Sequence, residues 1–301
     1  MPKRQTRRDT DQSRSSSKRP SRHTSKHKSR SPRRSDSSAQ RTRTPKRSHE
    51  DPFKRGGRLT LFGRKPVYEA LSDPRVTAQK LFIARHARGE MIEAILRRAD
   101  QIALPVERLS AMALSRISKH GKQDQGVALD VQAPLHLDLA QALDRSTSDL
   151  PIFLLDGLTT PANLGMVIRS VWASGAAGII LPREGCSPLN PLAVKASAGV
   201  AIHAAIWDCQ SAIAAVHHLN EHQIPIFGLA GEATRSLYTS AWPQRSAWVI
   251  GNESVGMSAG VRAHLTDVVS LPMAGDVESL NAAAAATVVA FELSRQRGDH
   301  A

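Results

Sequence analysis

Six short apolar runs recur through the second half of this chain, and their spacing limits the folds open to it. Residues 152–155, 178–181, 201–206, 225–230, 247–250 and 268–271 are each the length of one buried strand, and helical patterns separate them. Strands apolar on both faces that alternate with helices predict an α/β fold with a mostly parallel, helix-covered sheet. In such sheets ligands bind beyond the carboxyl ends of the strands. Three polar, glycine-containing loops fall at those ends.

The first loop runs from Asp156 to Asn163, and a helix is expected to begin around Asn163, a residue type that caps helix N-termini. Leu164, Val167, Ile168, Val171 and Trp172 then form one apolar face. Gly165 and Arg169, four apart, share a neighbouring side, where Gly165 permits close backbone approach and Arg169 projects a fixed charge. On spacing alone Arg169 reads equally as a solvated cation, and Asp156 as an ordinary turn residue. The second loop is Gly251-Asn-Glu253-Ser-Val-Gly256, which places a carboxylate at the sheet edge and leaves glycine backbone free to donate N–H groups. In the third, Ser279 and Asn281 stand at the start of the last helix, where exposed N–H groups hold polar ligands. The alanine run 282–286 makes that helix thin, so another segment or subunit can approach it closely.

Ahead of this region, residues 59–133 read as a small mixed domain. Helices are expected at 65–71, 90–99 and 111–119, and strands at 80–84, 103–106 and 126–131. Residues 134–150 read as a linker, and 151–301 as the larger domain. Residues 1–58 differ from both: they hold 20 Lys/Arg against 5 Asp/Glu and almost nothing that can be buried, whereas 59–301 holds 21 against 22. The net charge of +14 therefore belongs to the tail. Such a block is expected to be disordered and reads as a polycationic arm that attracts nucleic-acid phosphates by counterion release, with a solubilising extension that has no dedicated partner as the alternative.

Other chemistries find no support. No run approaches the length of a membrane span and no apolar leader is present, which points to a cytoplasmic protein without a membrane partner. No G-x-G-x-x-G follows the first strand, which disfavours a dinucleotide-dependent dehydrogenase, and neither G-x-x-x-x-G-K-[ST] nor H-E-x-x-H occurs. His217, His218 and His222 lack Cys or carboxylate partners at ligand spacing, so they read as surface residues and no metal is expected. The two cysteines, Cys186 and Cys209, form no disulfide framework and read as small core residues in a reducing compartment.

Taken together, Asn163-x5-Arg169, Gly251-Asn-Glu253-x2-Gly256 and Pro272-Met-x5-Ser279-Leu-Asn281 resemble the three motifs of the SpoU/TrmH branch of the SPOUT RNA methyltransferases. The resemblance covers essentially all of 151–297. Leu61-Phe-Gly-Arg-x-Pro-Val-Tyr-Glu-Ala-Leu and Asp124-Gln-Gly-Val-Ala, within 59–133, are similar to the L30e-like substrate-binding domain of the subgroup that methylates 23S ribosomal RNA at a guanosine. The resemblance implies a C-terminal trefoil knot, an exception to the usual absence of knots. It also implies a homodimer, S-adenosylmethionine as methyl donor, and transfer to a ribose 2′-oxygen. By the same resemblance Leu229, Ala230, Gly231, Gly251, Leu271 and Leu280 hold the cofactor, and Asn163, Arg169, Glu253, Ser279 and Asn281 line the reacting centre. Arg169 is the family's proposed proton acceptor. A guanidinium holds its proton at neutral pH, however, so orienting the hydroxyl and stabilising the emerging alkoxide is the easier role. Transfer RNA is the alternative substrate, and a non-catalytic RNA-binding protein that keeps the fold is the alternative class.

Overall fold

The computed structural model describes residues 57–132, 136–275, 277 and 279–298. The basic tail read over 1–58 lies outside the described residues but for its last two. The small half runs β1 (Arg58–Phe62), α1 (Arg64–Ser72), β2 (Thr77–Ala84), α2 (Glu90–Gln101), β3 (Val106–Leu109), α3 (Ala111–Ser118) and β4 (Val127–Gln132). Its strands form one sheet in the order β1-β4-β2-β3, in which only the β2–β3 pair is parallel. Leu61 and Leu81 both stand opposite Leu129, and this row is the centre of the small core.

The larger half continues with β5 (Leu137–Asp138), α4 (Leu139–Arg145), β6 (Ile152–Leu155), α5 (Pro161–Ala173), β7 (Gly178–Pro182), α6 (Pro191–Ala196), β8 (Ile206–Cys209) and α7 (Ala212–Glu221). It ends with β9 (Ile226–Leu229), β10 (Ala247–Ile250), α8 (Ala259–Arg262), β11 (Asp267–Val269) and α9 (Ala282–Arg297). The seven strands lie in the order β11-β9-β10-β6-β7-β8-β5, and each adjacent pair is parallel. The α/β, parallel-sheet expectation therefore holds. From β6 the chain builds outward through β7 and β8, then returns to build β10, β9 and β11 on the other side. Strand order thus reverses between β6 and β10, where loops diverge and leave a crevice.

Local chemistry explains where elements differ from the expected bounds. The strand expected at 103–106 lies at β3 instead, because Leu104 donates to the carbonyl of Ala99 at 2.9 Å and Ala103 turns left-handed, closing the end of α2. The run 201–206 splits into a 3₁₀ turn, Val200–Ile202, and β8; Ser197 Oγ accepts from the Ala201 N–H at 3.0 Å and winds the chain first. Strand β11 covers only the first part of 268–271. Within 134–150, read as a linker, Leu137 and Asp138 pair with Trp207 and Asp208 at the sheet edge, and Leu139, Ala142 and Leu143 bury one face of α4. Two residues of pairing and a seven-residue helix are too short for periodicity to reveal.

Directly after β11, Ser270 is clasped by the loop between β9 and β10: its N–H donates to Arg235 O at 2.8 Å, and Leu237 N–H donates to Ser270 O at 3.0 Å. Trp242, in the same loop, packs with Phe227 and Trp248 at ring-centroid spacings of 5.1 Å.

The halves meet at α6. Lys195 Nζ donates to Gln123 O at 2.6 Å and lies 5.5 Å from the Phe62 ring centroid, and burial pushes its ammonium below the usual lysine range. On the other side α6 presses on α5 at Gly165, where a Cβ would stand 2.3 Å from Ala193 O. Of the two thiols, Cys209 is buried and Cys186 half-buried. Burial pushes the Cys209 thiol up to about 12, and burial raises that of Cys186, whose Sγ donates to Leu155 O. Little thiolate then exists at neutral pH. Ellman's reagent is accordingly expected to leave both cysteines unmodified in the folded protein and to label both in denaturant. Rapid labelling of the native chain would contradict this packing.

Candidate active site

The three loops named from the sequence converge at the reversal between β6 and β10. Helix α5 starts two residues before the expected position: Thr160 is its N-cap and Pro161 takes the first turn, where its missing N–H costs nothing. Asn163 is thereby relieved of capping, and its side chain is free for another partner. Asn163 Nδ2 donates to Glu253 Oε1. Its Oδ1 accepts from Asn281 Nδ2 at 3.3 Å, while Asn281 Oδ1 caps α9 by accepting from the N–H groups of Ala283 at 2.9 Å and Ala284 at 3.4 Å. One residue from each loop thus joins a single hydrogen-bonded row, which fixes the Glu253 carboxylate relative to two helix N-termini.

Glycine closes the second loop. The N–H groups of Asn252 and Gly256 each donate to the other's carbonyl at 3.0 Å, so Gly251 lies against the returning backbone. A Cβ at Gly251 would stand 2.6 Å from Gly256 C and Met257 N. Asn252 and Asp156, which the motif reading leaves without a role, lock this loop to the first. Asn252 Nδ2 donates to Gly157 O at 2.8 Å, and Asp156 Oδ2 accepts from the Ser258 N–H at 2.6 Å. Their signal in the sequence is placement: each comes within two residues of a strand's carboxyl end, on the adjacent strands β6 and β10.

The second and third loops, with the end of β9 and the residues that follow it, enclose a cavity of about 420 Å³, within the range of about 300–1,000 Å³ usual for small-molecule sites. All six expected cofactor contacts, Leu229, Ala230, Gly231, Gly251, Leu271 and Leu280, line it, and so do Glu253 and Ser279. Met257, Met273 and the ion-paired Glu232 and Arg262, which the motifs do not single out, complete much of the wall. Asn163 and Asn281 stand behind Glu253 rather than in the lining. Arg169 is the residue the fold does not bring in. Six residues beyond Asn163 on α5, or about 9 Å along a helix, it is exposed and outside the cavity wall.

Comparison with known proteins finds relatives of both halves. Residues 151–291 match the SpoU rRNA Methylase family, and residues 60–136 match a family described as RNA 2′-O ribose methyltransferase substrate binding. A Haemophilus influenzae protein named 23S rRNA (guanosine-2′-O-)-methyltransferase RlmB is 30% identical over 241 residues, covering 79% of this chain and 97% of that protein. The protein of the same name from Yersinia pestis is 40% identical over 147 residues, which are 49% of this chain and 60% of that one. Among solved structures, the SpoU methyltransferase AviRb of Streptomyces viridochromogenes in complex with AdoMet superposes with a TM-score of 0.67 at 25% identity, covering 81% of this chain and 92% of that one.

Proposed function

Because the chain belongs to the SpoU rRNA methylase family, we propose that it methylates the 2′-oxygen of a guanosine ribose in 23S ribosomal RNA, with S-adenosylmethionine as donor. The observation that supports this most is the cavity at the carboxyl ends of β9, β10 and β11, beside which residues of three separate loops fix one carboxylate. The cavity suits the donor. Its size fits a nucleoside with an amino-acid arm, its apolar side chains suit the adenine, and Glu253 supplies negative charge for a sulfonium. The donor would supply an electrophilic methyl group to the ribose 2′-oxygen, leaving as S-adenosylhomocysteine, with the hydroxyl proton passing to water. What the chain contributes is position and field. Leu229, Ala230, Gly231, Gly251, Leu271 and Leu280 would hold the donor, while Asn163 and Asn281 keep Glu253 from rotating. In this reading Ser279 holds the ribose, and the Arg169 guanidinium, brought in from outside the single-chain cavity, orients the 2′-hydroxyl and stabilises its developing charge.

Arg169 lies outside the cavity of a single chain, on the same helix as Met166, which is 41% exposed, and α5 lies beside the alanine-rich α9. This supports a homodimer across the α5–α9 face, with the arginine reaching the reacting centre at the interface. The smaller half, roughly 59–133, serves as the substrate-binding domain in this reading, and a ribosomal substrate carries a cytoplasmic location with it. Among the described residues no helix is long and apolar enough to cross a membrane.

Mapping 2′-O-methyl groups in total RNA, with and without the gene, tests the proposal. One guanosine of 23S ribosomal RNA should lose its methyl group when the gene is absent. Loss confined to transfer RNA would overturn the substrate, and an unchanged methylation map would overturn the activity.

A further inference from the structure

The two halves are joined by more than the chain between them. The segment 190–204, which holds α6 and the 3₁₀ turn after it, packs against α5 on one side and against α1 and β1 of the smaller half on the other. Buried apolar residues form one cluster across it, with Leu61 and Val67 at one end, Val194 and Ile202 between, and Ile168 of α5 at the other. The segment is built to hold one shape. Asn190 caps α6, its Oδ1 accepting from the N–H groups of Leu192 and Ala193 at 3.0 Å each, and Pro191 follows with the helical φ already set. At the other end Ala198 and Gly199 are both left-handed, with φ of +55° and +98°. A residue with a Cβ takes that conformation at a cost, so the structure around Ala198 holds it there. Ser197 is fully buried, and its Oγ donates to Val194 O at 2.7 Å while accepting from the Ala201 N–H.

Each face of this segment meets its neighbour closely. Toward the smaller half, a Cβ at Gly199 would stand 2.7 Å from Glu69 Cβ and 3.2 Å from Pro66 Cα, and His203 Nδ1 lies 3.5 Å from Asp73 Oδ2. Lys195 reaches across this contact: its Nζ, already bonded to Gln123 O, lies 3.4 Å from Gln123 Oε1 and near enough to the Phe62 ring for a cation–π contact. Toward α5, Ala193 O and Ser197 N stand where any side chain at Gly165 would go. Lys195 itself forms no part of the donor cavity's wall.

We propose that Lys195 is a positioning residue for methyl transfer: by pinning the smaller half to the segment 190–204, it holds α5, and with it Asn163 and Arg169, in register with the RNA. This rests on the RNA-methyltransferase reading above and adds to it a group that acts at a distance from both donor and ribose. Two packed contacts in series carry the constraint, Lys195 on the turn before β4 and Ala193 on Gly165, and close-packed interiors transmit strain rather than absorb it.

The test uses the full chain, a 23S ribosomal RNA fragment containing the methylated guanosine, and two variants. Lys195→Met keeps the apolar stem and removes the ammonium, and Lys195→Arg keeps the charge. In Lys195→Met, kcat at saturating RNA should fall roughly tenfold or more, as small misplacements of reacting groups do. RNA affinity and calorimetric affinity for S-adenosylmethionine should stay unchanged, and Lys195→Arg should recover most of the rate. Amide hydrogen exchange in Lys195→Met should quicken in α5 and in the turn 121–126. Helix α7, whose buried residues belong to a separate apolar cluster, should stay as protected as before. Exchange quickened everywhere, α7 included, would mark a merely structural residue and overturn the proposal. So would weaker RNA binding at unchanged kcat, which would make Lys195 an RNA contact, and so would unchanged kcat and exchange. Wild-type chain that methylates no RNA, with exchange in α5 and the turn still quickened by Lys195→Met, would instead sink the activity and leave the coupling standing.

Discussion

Replacing Arg169 with alanine should reduce methylation by roughly 10²–10³-fold or more, the effect of removing a group that stabilises charge developing in the transition state. The expectation has unusual clarity here because Arg169 is exposed and forms no part of the cavity wall. Losing it removes little packing, so the melting temperature should hold, as it does for most surface substitutions. Calorimetry should find S-adenosylmethionine bound as tightly as in the wild type. Arg169→Lys should recover little, since an ammonium lacks the planar, forked donor array of a guanidinium. Near-normal turnover in Arg169→Ala would remove the residue from the mechanism. A parallel fall in cofactor affinity would place it in the cofactor site instead.

The second large effect is expected at Gly165. It sits inside α5, where glycine costs helix stability relative to alanine, so its presence calls for a reason. The reason is α6: a Cβ at this position would lie 2.3 Å from Ala193 O, 2.6 Å from Ala196 Cβ and 2.8 Å from Ser197 N. Two of those three atoms are backbone and cannot swing aside. Gly165→Val should therefore cost about 3 kcal/mol or more, the upper part of the range for overpacking a core. Chemical denaturation would measure this. If the variant folds, α5 must shift, which carries Asn163 away from Glu253 and Asn281, and turnover should fall further than stability alone explains. A valine accepted at no cost in stability would mean that the two helices do not meet as closely as described.

Much of the site can be read from residue order. Glu253, Gly251, Ser279, Leu271 and Leu280 stand where two of the strand-end loops place them, Leu229, Ala230 and Gly231 follow from the end of a third apolar run, and the strands themselves are legible because both faces of a parallel sheet are apolar. The residues that escape notice are those whose meaning depends on a neighbour distant in sequence. Asp156 looks like any turn residue until Ser258, 102 positions later, donates to it. Asn163 reads as a helix cap, but the cap is Thr160, and its actual partners are 90 and 118 positions away. The short β5 and the split of 201–206 are likewise decided by pairing and by a serine hydroxyl, not by periodicity.

By itself, then, the order of amino acids determined the parallel α/β architecture, the three loops and their chemistry, and the concentration of positive charge in residues 1–58, because apolar periodicity, glycine and charge are local properties. Tertiary structure decided the rest. It set the strand order that reverses between β6 and β10, drew Asn163, Glu253 and Asn281 into one row, kept Arg169 outside the cavity, and joined the two halves at α6. Each of these depends on which strands pair across distant parts of the sequence, and that choice is made by burying the whole core at once rather than by any one segment's preference.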